Sequence, residues 1–207
     1  MGEGSFGRVM LCHNKINGEA RAVKILKKSI LIDPKVKEQF SQEFNILKKL
    51  DHPNIVRIYE IYQGQQSLSL VFEVCQGSSL ATLLKEEIDL SLEVKKEILR
   101  QLFRGINYLH SQGIVHRDIK PDNIVFVKKL TSVSSSFDVD LRIIDFGLAY
   151  EHKEKTFKDW ANIGTYNFMA PEVFDGLYSS KCDSWSCGIV AHILLLGSNP
   201  FRGFDKE

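Results

Sequence analysis

His116-Arg117-Asp118-Ile119-Lys120-Pro121-Asp122-Asn123 and, further along, Asp145-Phe146-Gly147 decide the reading of this chain. Each polar cluster is bounded by apolar residues. Gly113-Ile114-Val115 and Ile124-Val125-Phe126-Val127 flank the first, and Leu141-Arg142-Ile143-Ile144 leads into the second. Short apolar runs of this kind read as buried β-strands, so the two acids, the amide and the lysine sit in loops at strand ends. Phosphoryl transfer asks little covalent chemistry of a protein. It needs metal ions across the phosphates, a carboxylate to orient the attacking hydroxyl and positive charge on the transferring group. The two loops supply residues of all three kinds.

Composition narrows the alternatives. The chain has 207 residues, 43% of them hydrophobic and 26% charged, enough for one sizeable domain or two small lobes sharing a cleft. With 27 basic and 26 acidic residues the formal charge is +1, so neither nucleic acid nor an anionic membrane is indicated as a partner. The longest apolar run, Gly188 to Leu196, is too short to span a bilayer and contains His192. Met1-Gly2-Glu3-Gly4 does not open a signal peptide, and a cytosolic or nuclear location is the expectation. Cys12, Cys75, Cys182 and Cys187 form no C-x-x-C pair and no metal-ligand spacing with the histidines; they read as reduced thiols.

Upstream, Gly2-Glu3-Gly4-Ser5-Phe6-Gly7-Arg8-Val9 fits a glycine-rich nucleotide loop. Alone the pattern is weak, because dinucleotide folds and ordinary turns also produce it. Its context is a hairpin: Arg8 to Cys12 and Arg21 to Leu26 are β-like runs with Asn17-Gly18 between them. Lys24 lies in the second run. Val36, Phe40, Phe44, Leu47 and Leu50 then mark an amphipathic helix over 35–50, with Glu43 beside its apolar stripe. Ile55 to Tyr59 and Ser69 to Glu73 read as further strands, and Leu80 to Glu87 as a short helix. Ser91 is the expected N-cap of a long helix whose buried side holds Leu92, Ile98, Leu99, Leu102, Ile106 and Leu109, with Gly113 ending it.

In order and spacing, these residues resemble the eukaryotic protein kinase superfamily, in which H-R-D-x-K-P-x-N is the catalytic loop and D-F-G the metal-binding turn. The resemblance implies the two-lobed α+β protein-kinase fold: a small antiparallel sheet with one helix (1–75), then a mainly helical lobe (76–207). It implies ATP in the cleft, with Mg²⁺ held by Asn123 and Asp145. By the same resemblance Asp118 orients the substrate hydroxyl and takes its proton, Lys120 steadies the γ-phosphate, and Thr165 contacts both. The nucleotide site it implies comprises Gly2, Glu3, Gly4, Ser5, Phe6, Gly7, Val9, Ala22, Lys24, Glu43, Glu73, Cys75 and Val125. Glu43 pairs with Lys24, Phe72 is the gatekeeper, and Glu73, Val74 and Cys75 form a hinge read through its main chain. Lys120 places the chain in the Ser/Thr class. Trp185-Ser186-Cys187-Gly188-Ile189, with Leu50-Asp51-His52-Pro53-Asn54 and Tyr59-Glu60, is most similar to the calcium/calmodulin-dependent and calcium-dependent kinase group. These residues include no EF-hand loop or autoinhibitory helix on which calcium or calmodulin control would rest.

Several departures from the family pattern stand out. Ser79 occupies a place where many basophilic relatives carry an acid. Ala161 stands at the usual activation phosphosite, with Thr156 or Asp159 as substitutes, and Tyr166-Asn167-Phe168 follows Thr165 in place of the usual proline and tyrosine. Lys128 to Asp140, with Ser132, Ser134, Ser135 and Ser136, reads as a solvated, mobile turn longer than the family's usual hairpin. Asp183 opens the central helix, on which the catalytic loop rests by resemblance. Its apolar stretch to Leu196 needs cover on nearly all sides. The resemblance starts inside the glycine loop and stops before the last helices, including the arginine that pairs with Glu172, so a partial domain is expected. The function expected is ATP-dependent phosphorylation of Ser or Thr in protein substrates. The alternative from another class is a kinase-like module that binds nucleotide or protein without turnover.

Overall fold

The computed structural model describes residues 3–4, 7–151, 157–158 and 163–201. Strands β1 (Glu3–Gly4), β2 (Gly7–His13), β3 (Ala20–Lys27), β4 (Ile58–Gln63) and β5 (Ser67–Phe72) build an antiparallel sheet in the order β1-β2-β3-β5-β4. The β2–β3 hairpin turns at Gly18, whose φ of +72° suits a residue without Cβ. Helix α1 (Pro34–Lys49) joins β3 to β4 and buries Glu43, Ile46 and Leu47.

The second part is mainly helical. Helix α2 (Leu80–Lys85) is capped by Ser79, whose hydroxyl accepts from Thr82 N–H at 3.2 Å. Helix α3 (Leu92–Ser111) is capped by Ser91, as expected, and Gly113 just beyond it has φ +70°. Short strands β6 (Ile114–Val115), β7 (Ile124–Phe126), β8 (Leu141–Ile143) and β9 (Tyr150–Glu151) carry the loops, with β6 paired to β9 and β7 to β8. Strand β10 (Phe157–Lys158) pairs with β11 (Leu177–Tyr178); α4 (Pro171–Phe174) lies between these two strands in the chain and α5 (Lys181–Leu196) follows β11.

One core runs from α1 through α3, β7 and β8 to α5, and includes Leu47, Ile98, Leu102, Ile143, Phe146 and Val190. Burying each such side chain is worth about 1.5–3 kcal/mol, which makes α3 the main beam. A smaller cluster of Val115, Met169, Ala170, Val173, Tyr178 and Cys182 seats the segment after Gly164.

Two expectations are corrected, at Ile55–Val56 and at Leu92, and two further segments take a definite form. Ile55 and Val56 precede the strand: both are buried, and Val56 N–H donates to Ile143 C=O, so they join the first part to β8 in place of alternating within the sheet. Leu92 is 51% exposed because it lies in the first turn, while Val94 takes the buried place. The 128–140 segment is anchored at both ends by the buried Leu130 and Val139. Between these anchors most residues are exposed, as expected of a solvated turn, and two of its serines serve local caps: Ser134 Oγ accepts from Thr131 N–H, and Ser135 and Asp138 form a capping box. Helix α5 buries Cys182, Asp183, Ser186, Cys187, Ile189, Val190 and Leu194 along one side, yet Leu196 is 69% exposed. No helix among the described residues is long and apolar enough to cross a membrane.

Candidate active site

The site is built where β6, β7 and β8 end. Asp183, buried on the first turn of α5, accepts the backbone N–H groups of His116 and Arg117, each at 2.9 Å, and His110 Nε2 lies 2.8 Å from the same carboxylate. A buried carboxylate is costly unless such donors surround it; here they fix the start of the catalytic-type loop to the helix. His116 ties that loop to the next one. Its Nδ1 accepts from Asp118 N–H at 3.3 Å, which leaves Nε2 as the donor to Ile144 C=O at 3.1 Å. The Phe146 ring meets the imidazole edge-on at 4.9 Å. His116 is therefore both a core residue and the brace between the loops.

Asp118 holds the centre. Oδ1 accepts from the Thr165 hydroxyl at 2.7 Å and Oδ2 from Lys120 Nζ at 2.8 Å; Nζ also lies 2.8 Å from Thr165 Oγ1. Asn123 Nδ2 donates to Asp118 C=O at 2.9 Å and to Oδ2 at 3.1 Å. Burial pushes the Asp118 carboxyl up, but the hydrogen bonds and charge of Lys120 and Thr165 outweigh it, and the group is held below the usual carboxylate range. The arrangement gives an ionised, oriented carboxylate beside a mobile-proton donor and a cation.

Above it, Lys24 Nζ lies 3.2 Å from Glu43 Oε1. Burial raises the Glu43 carboxyl, and the lysine offsets only part of that cost. The register places Val9 opposite Lys24 and Ala22 opposite Phe72, so Val9, Ala22, Lys24 and Phe72 share a face of the sheet with the buried Leu26 and Leu70. Glu3 and Gly4 lie in β1 and Gly7 starts β2. Gly2, Ser5 and Phe6 lie outside the described residues, as do Thr156, Asp159 and Ala161. Val125 sits in β7, bridged to Ser79.

Glu73 behaves differently from a residue read only by its main chain. Its N–H donates to Arg57 C=O, and its carboxylate accepts from Arg57 N–H at 2.7 Å and from Arg142 Nε at 2.8 Å, a strut between the hinge and β8. No residue type announces such a strut; only the fold brings 57, 73 and 142 together. Cys75 is half-buried, and burial pushes its thiol up to about 12.

Two features carry no sequence signal. Arg117 and Asp145, both in the loops, hold φ of +67° and +65°, a region L-residues seldom adopt. The Asp145 side chain is exposed, and a Cβ at Gly147 would stand 3.4 Å from its Oδ1. The residues present fit the metal that the resemblance implies. The Asn123 amide spends its NH₂ on Asp118, leaving a carbonyl oxygen, and Asp145 offers a carboxylate, the hard oxygen donors Mg²⁺ takes. Among the described residues no cluster of three or more His, Cys, Asp or Glu could hold a metal by itself; a site completed by substrate phosphates needs none.

The chain is similar to several protein kinases. The chain is 38% identical over 211 residues to calcium-dependent protein kinase 5 of Plasmodium berghei (strain Anka), covering 100% of this chain and 35% of that protein. It is 37% identical over 207 residues to calcium-dependent protein kinase 4 of Plasmodium falciparum (isolate 3D7), covering 100% and 38%. Calcium-dependent protein kinase 3 of Plasmodium yoelii yoelii is 35% identical over 203 residues, covering 98% and 36%. The chain thus spans little more than a third of the length of these relatives. Residues 1–207 match the protein kinase domain throughout, and the chain belongs to that family.

Proposed function

We propose that this chain is the catalytic unit of a protein serine/threonine kinase, which transfers the γ-phosphate of ATP to Ser or Thr hydroxyls of protein substrates. The observation that carries the reading is the three-way contact of Asp118, Lys120 and Thr165 in a loop pinned by Asp183. Asp118 orients the incoming hydroxyl and accepts its proton at a carboxylate oxygen, for which a carboxyl held ionised is suited. Lys120, within reach of that carboxylate, provides positive charge where the phosphoryl group transfers. Lys24, fixed by Glu43, binds the nucleotide's phosphates, and Asn123 and Asp145 hold Mg²⁺. Bound Mg²⁺ neutralises charge across the phosphates. Val9, Ala22, Val125 and the hinge from Glu73 to Cys75 enclose the adenine, with the loop of Gly2 to Gly7 over the phosphates.

The test is transfer of labelled γ-phosphate to an equimolar pool of Ser, Thr and Tyr peptides, with and without Mg²⁺. Mg²⁺-dependent label on Ser and Thr peptides is expected. Nucleotide binding without any transfer would favour a non-catalytic module, and label confined to Tyr peptides would refute the acceptor class. The relatives are named for calcium dependence; running the assay with calcium and calmodulin, and with chelator, shows whether such control acts on these residues.

A further inference from the structure

Arg117 is poised between the two parts of the site that must meet. It precedes Asp118, and its Nε donates to Leu148 C=O at 2.6 Å. Its guanidinium carbon stands 5.2 Å from the ring centroid of Tyr150 in β9 and 5.7 Å from that of Tyr178 in β11. Tyr178 is buried in the smaller core cluster, and its hydroxyl accepts from Ile163 N–H at 3.3 Å. Ile163 leads into Gly164, whose φ is +116° and where a Cβ would stand 2.6 Å from Arg117 C=O. The next residue, Thr165, donates to Asp118.

We propose that Tyr150 and Tyr178 are positioning residues that clasp the Arg117 guanidinium and so register the loop carrying Asp118 against the segment carrying Thr165. The inference rests on the kinase reading above for its effect on turnover, but not for the clasp itself. A cation within about 6 Å of an aromatic face is attracted by the ring quadrupole, more strongly where water is excluded. The rings are uncharged, so this hold on Arg117 requires no added anion. Tyr150 ties the guanidinium to the strand after Gly147, and Tyr178 ties it to Ile163. Arg117 also brings its carbonyl against Gly164, so side chain and backbone of one residue reach both neighbours.

Two variants of the whole chain separate the clasp from general packing. Tyr150→Leu removes the ring, whereas Tyr150→Phe keeps it. Amide exchange over 163–168 and over α3 is followed for each, with steady-state transfer measured in parallel. Tyr150→Leu is expected to speed exchange over 163–168 about fivefold, leave α3 unchanged, and lower kcat about tenfold with the KM for ATP within twofold. Tyr150→Phe is expected to stay within twofold of the parent on every readout. Parental exchange and kcat in Tyr150→Leu, or an equal loss in both variants, would overturn the proposal; so would faster exchange spread evenly through α3. If the parent transfers no phosphate, the kinase reading fails while the exchange over 163–168 still decides the clasp.

Discussion

Asp118 and Glu43 are two buried acids with a lysine each, and their environments push them in opposite directions. Asp118 meets Lys120 and Thr165 with close hydrogen bonds and is held low; Glu43, buried on α1, is raised by burial that Lys24 does not cancel. A raised carboxyl contributes stability that is fully present below the ordinary value of 4.5 and is lost as pH rises through its folded-state value. A ¹³C carboxyl titration should give Glu43 a midpoint above 4.5; a midpoint at or below 4.5 would show that Lys24 dominates the pair. At this scale the grouping of Asp118, Lys120 and Asn123 was legible, because unlike residue types stand there at the fixed spacing of the loop they resemble. The strut at Glu73 was not: its partners are Arg57, just before β4, and Arg142 in β8, and nothing local distinguishes this acid from an exposed one.

Elements were legible where a local rule sets them. The three-to-four spacing of α1, the serine cap of α3 and the Asn-Gly hairpin each follow from backbone chemistry that neighbours do not alter. They misled where tertiary packing decides, as at Ile55 and Val56, whose consecutive burial against β8 is invisible to a strand pattern. The anchoring of the loop to α5 is a property of both elements. Asp183 serves two backbone donors on its own, so Asp183→Ala should leave them unpaired in the interior and destabilise the chain by about 3 kcal/mol or more. Chemical denaturation measures it; a loss under about 1 kcal/mol would mean that the loop holds its shape without the helix. Asp183→Asn, which retains one acceptor oxygen, is expected to fall between the parent and Asp183→Ala.

As a whole the molecule brings a sheet with one helix over a helical part, and the catalytic-type groups come from both. Lys24 and Glu43 belong to the first part, Asp118, Lys120, Asn123 and Thr165 to the second, and Lys49 of α1 reaches Glu151 of β9 at 2.6 Å across the join. That division follows from sequence order alone. On α5, Leu195 and Leu196 remain exposed while Trp185 stacks on Phe201. In the proposed kinase, Asp118 stands at the centre of the phosphotransfer site. Asp118→Asn keeps the shape of the side chain and removes its basicity. Single-turnover transfer from Mg²⁺-ATP to a Ser/Thr peptide should drop about two to four orders of magnitude in that variant while ATP affinity stays within a few-fold. Transfer at the parental rate would contradict the account.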